Sequence, residues 1–476
     1  MDGNIHRKAL KSGIWYTVTN FTVRGLAFLT TPIFTRMLTK EEYGAFSNYT
    51  AWLGLLTILT TLDLYTSVQR AVFDFKEDID GYLSSVLTLG ALVTVVCYFI
   101  VLVFGDFFTQ LFDMNIIYIN IMFMYMLVSP AIQLLQTKHR FEMKYKFVTA
   151  LTFLSVFSTV GISVVLVWIM QNRLLGRVIG QSITLTIVNL FIAGYIIFKG
   201  RKFKLEYCQY ALIIAVPLIP HLLGGSLLGT TDRIVINKFC GEEYTALYSV
   251  VYTCSMVVIL LQTSLNMAWN PWFFEHLYKE DYIPVRKVFK TFVLMFCAIA
   301  YSLILFAPEI IHLVGGKAYS ESVLLMPPIM MGCVCLFMYS LYVSTEMYCK
   351  KNFGIALRTI TAGIFNLVTN IIFVPLFGYA AAAYTTLVSY FLLLILHWRA
   401  GKKLGVDNYF DSKFIFAATG VMAVLSALAL AVYSVRWLRL GLSGLFLVAL
   451  LMGVWKYRAK LMEIYKMFGK EKTIKC

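Results

Sequence analysis

Apolar residues in this chain come in long runs, not in the short alternations of a soluble domain. A helix needs about 20 predominantly apolar residues to cross roughly 30 Å of hydrocarbon. About fourteen such runs are present, near 12–35, 43–62, 83–104, 115–136, 147–170, 174–198, 207–230, 245–267, 288–307, 323–346, 354–375, 379–398, 413–434 and 438–455. The polar stretches between them are too short to fold as separate soluble domains. The pattern predicts an all-α, polytopic membrane protein. A short basic lead precedes the first run with no small-residue cleavage site after it, so that run is expected to be an uncleaved helix.

Polar residues inside the runs fall on faces. Thr17, Asn20, Arg24, Thr31 and Thr35 follow helical steps on the first run. Arg24 lies about 18 Å from either end at 1.5 Å per residue, too deep to snorkel out. Placing it there costs at least about 2.5 kcal/mol on insertion scales, so it requires a polar partner. One reading has Arg24, helped by Asn20, gripping an anionic substrate, because guanidinium matches phosphate oxygens bidentately. The other has an internal ion pair or carbonyl contact that locks helices together.

The seventh run is the most irregular. Pro217 and Pro220 interrupt its hydrogen-bond ladder, and Gly224, Gly225 and Gly229 permit bending or close approach. A helix continuing to about Phe239 puts His221, Gly225 and Asp232 on one face, with Arg233 beside them. These four residues describe either a hinge with a titratable histidine and an ion pair, or a kinked helix capped by its Asp-Arg pair. Two amide stripes follow: Ser255, Gln262, Asn266 and Asn270 on the eighth run, and Thr359, Gly363, Asn366 and Asn370 on the eleventh. Amides suit sugar hydroxyls, but they also join helices at about 0.6 kcal/mol each. Arg177 is expected to reach the outer interface. Trp269 and Trp272, beside Pro271, are expected at the inner interface. His6, His139, His276, His312 and His397 fall in loops or at span ends, where solvated or interfacial positions are expected.

Composition agrees with this pattern: 59% of residues are hydrophobic and 14% charged. The net charge of +16 would suggest nucleic acid in a soluble chain, but here the bases cluster in short loops. With the amino terminus inside, 31 of the 41 lysines and arginines lie on that side, including Arg70, Lys76, Lys138–Lys146, Lys199–Lys204, Lys279–Lys290, Lys350, Lys351, Arg358 and Arg399–Lys413. Both termini are therefore expected to be cytoplasmic. The nine cysteines form no C-x-x-C pair, which argues against a metal site or a disulfide framework.

The chain repeats itself. RMLTKEEYGAFSNYTAW follows the first run and NKFCGEEYTALYSVVYT the seventh, so Glu41, Glu42, Tyr43 and Ala45 recur as Glu242, Glu243, Tyr244 and Ala246. A period of six spans preserves topology and predicts two parallel six-helix repeats around a central cavity. The expected division is an N-lobe at 1–202, a C-lobe at 203–400, and a linker, two extra helices and a basic tail at 401–476. No nucleotide, zinc-hydrolase or serine-hydrolase motif is present, so no enzyme and no cofactor is expected. Energy would come from a proton or sodium gradient.

Four segments carry a family likeness: TRMLTKEEYGAFS, PLIPHLLGGSLLGTTDRIVINKF, FAPEIIHLVGGKAYSESVLLMPPI and NLVTNIIFVPLFGYAAAAYTTLVSY. Together they resemble bacterial polysaccharide repeat-unit flippases of the Wzx type, in the multidrug, oligosaccharidyl-lipid and polysaccharide exporter superfamily. The resemblance covers about residues 10 to 450. It implies alternating access around a V-shaped cationic cavity, moving undecaprenyl-pyrophosphate-linked oligosaccharide across the bacterial inner membrane for O-antigen, capsule or exopolysaccharide synthesis. Arg24 matches the cavity arginines on the first helix of lipid II flippases, and Arg233 matches the Asp-Arg pair of the polysaccharide branch. Implied partners are the lipid-linked glycan, membrane lipids and polysaccharide polymerase machinery. The competing readings are an ion-coupled multidrug exporter on the same architecture and a membrane polymerase or acyltransferase. The exporter would want a cavity carboxylate, for which Asp63, Asp232, Glu309 and Glu346 are the candidates.

Overall fold

A computed structural model describes the backbone of residues 2–458 and 462, and the side chains of these except at 2–14, 16, 17, 20, 24, 27 and 454. Among the described residues every regular element is helical. In chain order these are α1 (Asp2–Met37), α2 (Lys40–Thr61), α3 (Val68–Asp74), α4 (Ile79–Val103), α5 (Gly105–Phe112), α6 (Ile116–Val128), α7 (Pro130–Phe141), α8 (Tyr145–Ile169), α9 (Arg173–Gly200) and α10 (Leu205–Ala215). Then come α11 (Ile219–Cys240), α12 (Glu242–Tyr278), α13 (Tyr282–Leu305), α14 (Ala307–Val314), α15 (Met326–Tyr348), α16 (Asn352–Phe377), α17 (Ala380–Lys402), α18 (Ser412–Val432) and α19 (Arg436–Lys456). Among the described residues, twelve helical stretches are long and apolar enough to cross a membrane. A thirteenth appears if α2 and the segment Leu64–Asp74, bent by 54°, form one span. The described residues thus give twelve or thirteen such stretches, and do not confirm the expected count of about fourteen.

Local sequence explains the irregularities. The TKEE motif is a capping box: the Glu42 amide donates to Thr39 Oγ1 at 3.2 Å, and the Thr39 amide donates to Glu42 Oε2 at 2.9 Å. α2 ends where Leu62 and Asp63 adopt φ of 50° and 46° in succession. Just before this break, the hydroxyls of Thr57, Thr60 and Thr61 donate to carbonyls four residues back, a pattern that bends helices. The proline pair divides the seventh run as expected: α10 stops at Ala215, a 3-10 turn covers Val216–Leu218, and α11 carries on to Cys240.

The chain forms two compact units, Met1–Ser249 with Asn366–Tyr379, and Val250–Phe365 with Ala380–Cys476. In the first, Val68, Tyr82, Leu83, Val86, Leu134 and Ile196 pack α3, α4, α7 and α9 together. A second cluster joins Phe46 and Tyr49 of α2 to Phe112, Met122, Phe123 and Val178. The two recurring motifs meet within this unit. Lys40 pairs with Glu243, and Gly44 lies so close to Glu242 that a β-carbon there would overlap its carbonyl.

In the second unit α15 is the most enclosed span, packing against α13, α17 and α18. Phe296 and Phe337 stack at 4.2 Å between ring centres. Trp269 corrects the interfacial expectation. It is 1% exposed and stacks on Phe273 at 5.2 Å, with Phe292 and Phe410 alongside, because three rings cover its indole more fully than a headgroup layer would. Trp272 is buried with it. The last helix is fastened by Arg439, whose Nη1 and Nη2 pair with Glu309 at 2.5 and 2.6 Å.

Outside the spans, Asp78 gathers the loops next to α4 and α10. Its carboxylate accepts from Tyr207 at 2.8 Å and from Lys202 and Lys204 at 3.0 Å. Desolvation opposes its ionisation, but the hydrogen bonds from Tyr207, Lys202 and Lys204 outweigh that and hold its pKa at about 2, below the ordinary 3.8. A depressed carboxylate contributes stability above its unfolded-state pKa and loses it as pH falls through the folded one. Asp78→Asn should therefore lower the unfolding temperature of the purified protein at neutral pH, and the gap from wild type should close as pH drops from about 4 toward about 2. A pH series of thermal unfolding checks this.

Candidate functional site

One of the predicted polar faces, on α12, lines an open groove. Gln262, Asn266 and Asn270, spaced by four, face Leu336, Ser340 and Ser344 of α15, spaced likewise. Gln262 Nε2 donates to the Leu336 carbonyl at 3.0 Å, Ser340 Oγ to Asn266 Oδ1 at 3.4 Å, and Ser344 Oγ to Asn270 Oδ1 at 2.7 Å. Ser344 thus orients Asn270 by its oxygen, whereas the Ser340 hydroxyl is directed mainly to the Phe337 carbonyl of its own helix at 2.7 Å. The NH2 groups of Asn266 and Asn270 then have no protein acceptor among the described residues, and the buried Gln262 Oε1 has no donor. The three amides line a groove of about 420 Å³ with Ile259, Thr263, Met267 and Pro271. Such a groove offers oriented donors beside apolar surface, which suits a hydroxyl-rich ligand carrying acceptor oxygens.

The other amide stripe is engaged inside the first unit. Asp232, 1% exposed, accepts from Tyr248 at 2.5 Å and from Asn370 Nδ2 at 2.6 Å. Asn370 also donates to Asn366 Oδ1 at 3.2 Å, and Thr231 reaches the same oxygen at 3.4 Å. Asp232 and Asn366 thus belong to one buried network joining α11, α12 and α16. Arg233 is half-buried on the adjoining face. His221 is also half-buried, in the first turn of α11. It stands about 16 Å along the axis from Asp232 at 1.5 Å per residue, so the two side chains do not touch.

Asn20 and Arg24 lie on α1, and their side chains fall outside the described residues. On the same stripe Thr31 and Thr35 are buried. Thr19, one position off the stripe, meets Thr149 of α8 at 3.0 Å.

Two clusters escaped sequence reasoning. Arg177, placed at the outer interface by its position, instead lies over Phe34 and Phe46 at 3.8 and 4.3 Å from the ring centres and donates to Ser163 at 2.8 Å. These rings cover the cation where lipid would not. His397 is fully buried rather than solvated. Its Nδ1 stands 2.8 Å from Oε1 of Glu346, itself fully buried, and Arg358 pairs with the other oxygen. The available signal was that Glu346 and His397 end neighbouring runs on one side, but only the packing of α15 on α17 joins them.

Comparisons with known proteins give the family and the fold. The family model described as polysaccharide biosynthesis protein matches residues 9–277. The probable low-salt glycan biosynthesis flippase Agl15 of Haloferax volcanii is 20% identical over 437 residues, covering 87% of each chain. Among solved structures, the lipid II flippase MurJ in its inward closed conformation is similar at a TM-score of 0.70 and 15% identity, covering 94% of this chain and 100% of that one. An inward-facing multidrug resistance MATE family transporter of the MOP superfamily follows at 0.62 and 13%, covering 86% and 99%. At these identities the structural likeness defines the fold.

Proposed function

The chain belongs to the polysaccharide biosynthesis protein family, and from that premise we propose that it flips undecaprenyl-pyrophosphate-linked oligosaccharide repeat units across the bacterial inner membrane by alternating access. The observation that carries the reading is the groove on α12, where Asn266 and Asn270 meet serines of α15 through their oxygens and leave their NH2 groups without a protein acceptor among the described residues. Sugars on a pyrophosphate cannot cross apolar lipid unaided, since each unsatisfied polar group costs several kcal/mol, about 2–7 for a hydroxyl or amide. A polar path open to alternate sides removes that barrier.

In this reading Arg24 and Asn20 take the diphosphate, and Asn266 with its neighbours takes glycan hydroxyls. Asp232, Asn366, Arg233 and His221 shape the path or the helix that moves. A proton or sodium gradient supplies the energy, both termini are cytoplasmic, and the polysaccharide polymerase receives the product. The multidrug alternative fits less well. Asp232, Glu309 and Glu346 are each engaged by other side chains. Asp63, the fourth candidate, is at the break in α2.

The test is complementation of a flippase deletion. A charge-assisted hydrogen bond is worth about 1.5–3 kcal/mol, so Arg24→Ala should reduce surface glycan at least about tenfold at normal protein levels. Asn266→Leu with Asn270→Leu should reduce it less. Full export by both Arg24→Ala and Arg24→Lys would rule out the gripping role. Single repeat units left on the surface of the deletion strain would point to a polymerase instead.

A further inference from the structure

At one end of the second unit, the hairpin between α15 and α16 and the last turn of α17 enclose a pocket of about 650 Å³. Its lining includes Lys350, Lys351, Arg358, Arg399 and Lys403, with one acid, Glu346. That acid does not offset the lysines. Both its oxygens are engaged, one by Arg358 and one by His397, in a fully buried position. The side chains of Lys350, Lys351, Arg399 and Lys403 are exposed, and none makes a hydrogen bond or ion pair among the described residues. Four unneutralised cations around one opening repel each other, and the fold gains nothing from the grouping beyond a favourable placement near the C-terminal ends of α15 and α17.

Two further features describe what such an opening holds. Phe353, 83% exposed, and Leu357 on the next turn of α16 present apolar surface beside the cations. The charged mouth therefore stands where three spans begin or end, at the level of headgroups, with apolar side chains next to it. Gly354 makes room for the guanidinium: a β-carbon there would come within 2.9 Å of Arg358 Nη2 and 3.2 Å of Nη1. A ligand with a phosphate for the bases and an acyl chain for Phe353 and Leu357 matches both halves. Basic pockets between spans are known to take anionic lipid headgroups for this reason. We propose that this pocket binds the phosphate headgroup of an anionic membrane phospholipid. The proposal does not rest on the transport reading, because it needs neither export nor a glycan.

The experiment uses the full chain in phosphatidylcholine vesicles and titrates spin-labelled phosphatidylglycerol against spin-labelled phosphatidylcholine. Wild type should prefer phosphatidylglycerol. Each lysine near a membrane surface contributes about fivefold to anionic-lipid affinity, so Lys350→Gln with Lys403→Gln should weaken the preferred binding about 25-fold. The same charge loss elsewhere, Lys76→Gln with Lys146→Gln, should leave it within about twofold. Gly354→Leu, which removes no charge but displaces Arg358 and fills the mouth, should lower it as well, and thermal unfolding in phosphatidylcholine verifies that each variant is folded. Equal losses in the two double variants would mean diffuse surface attraction and would overturn the site. So would displacement of the lipid by inorganic phosphate at comparable concentration, which would show a free-anion pocket, or the absence of any preference in the wild type.

Discussion

Gly44→Leu is expected to prevent the chain from reaching its native state, with loss of glycan export and of accumulated protein. The motif around Gly44 packs against its own repeat, and the obstacle to any side chain is the carbonyl group of Glu242, which is backbone. A side-chain neighbour can rotate away, but a helix start cannot without moving α12. Overpacking in a well-packed contact costs about 1–3 kcal/mol and occasionally more. Gly44→Ala should fall in that range and Gly44→Leu beyond it. The check is direct. Cysteines introduced as Lys40→Cys and Glu243→Cys, at the ion pair beside the glycine, should cross-link readily in the wild-type background and poorly with Gly44→Ala. Unchanged cross-linking together with an unchanged unfolding temperature would mean that the two motifs do not touch.

The second large effect concerns Glu346. Removing one partner of an enclosed ion pair leaves the other charge buried, which typically costs 3–5 kcal/mol. Glu346→Ala should destabilise the purified protein by about 3 kcal/mol, the lower end of that range, because Arg358 keeps an edge in solvent. Glu346→Gln should cost less, since the amide oxygen can still accept from Arg358 or His397. Adding Arg358→Leu to Glu346→Ala should recover part of the loss, because the stranded cation goes with it. For contrast, Lys279→Ala breaks an exposed pair with Glu275 and should cost no more than about 1 kcal/mol. If Glu346→Ala proved as mild as Lys279→Ala, the assembly would contribute nothing to the second unit.

Much of the architecture could be read from periodicity. The long runs became helices, Pro217 and Pro220 broke the seventh run where they stand, and TKEE capped α2. Periodicity names the face a residue occupies but not the neighbour that meets it. Asn266 and Asn270 carry the same spacing as Asn366 and Asn370. The first pair meets serines that leave its donors unused, and the second meets a carboxylate that engages Asn370 directly. Nothing within either run distinguishes them. The same limit put Trp269 at the interface and His397 in solvent: each ends near a span boundary, and only the helices packed beside it supply the cover.

The first unit is discontinuous in sequence, and that has a consequence for its synthesis. Asp232 emerges 138 residues before Asn370, the amide that completes its network. At about 5–20 residues per second, translation leaves this intramembrane carboxylate without that partner for on the order of ten seconds. Through that interval the emerging chain holds in its seventh span an acid that has met Tyr248 but not yet Asn370. The insertion machinery therefore handles a half-built membrane domain whose closure depends on residues not yet made. A ribosome stalled between these points would leave a nascent chain whose helices α11 and α12 have met while α16, which closes the network, is still to come.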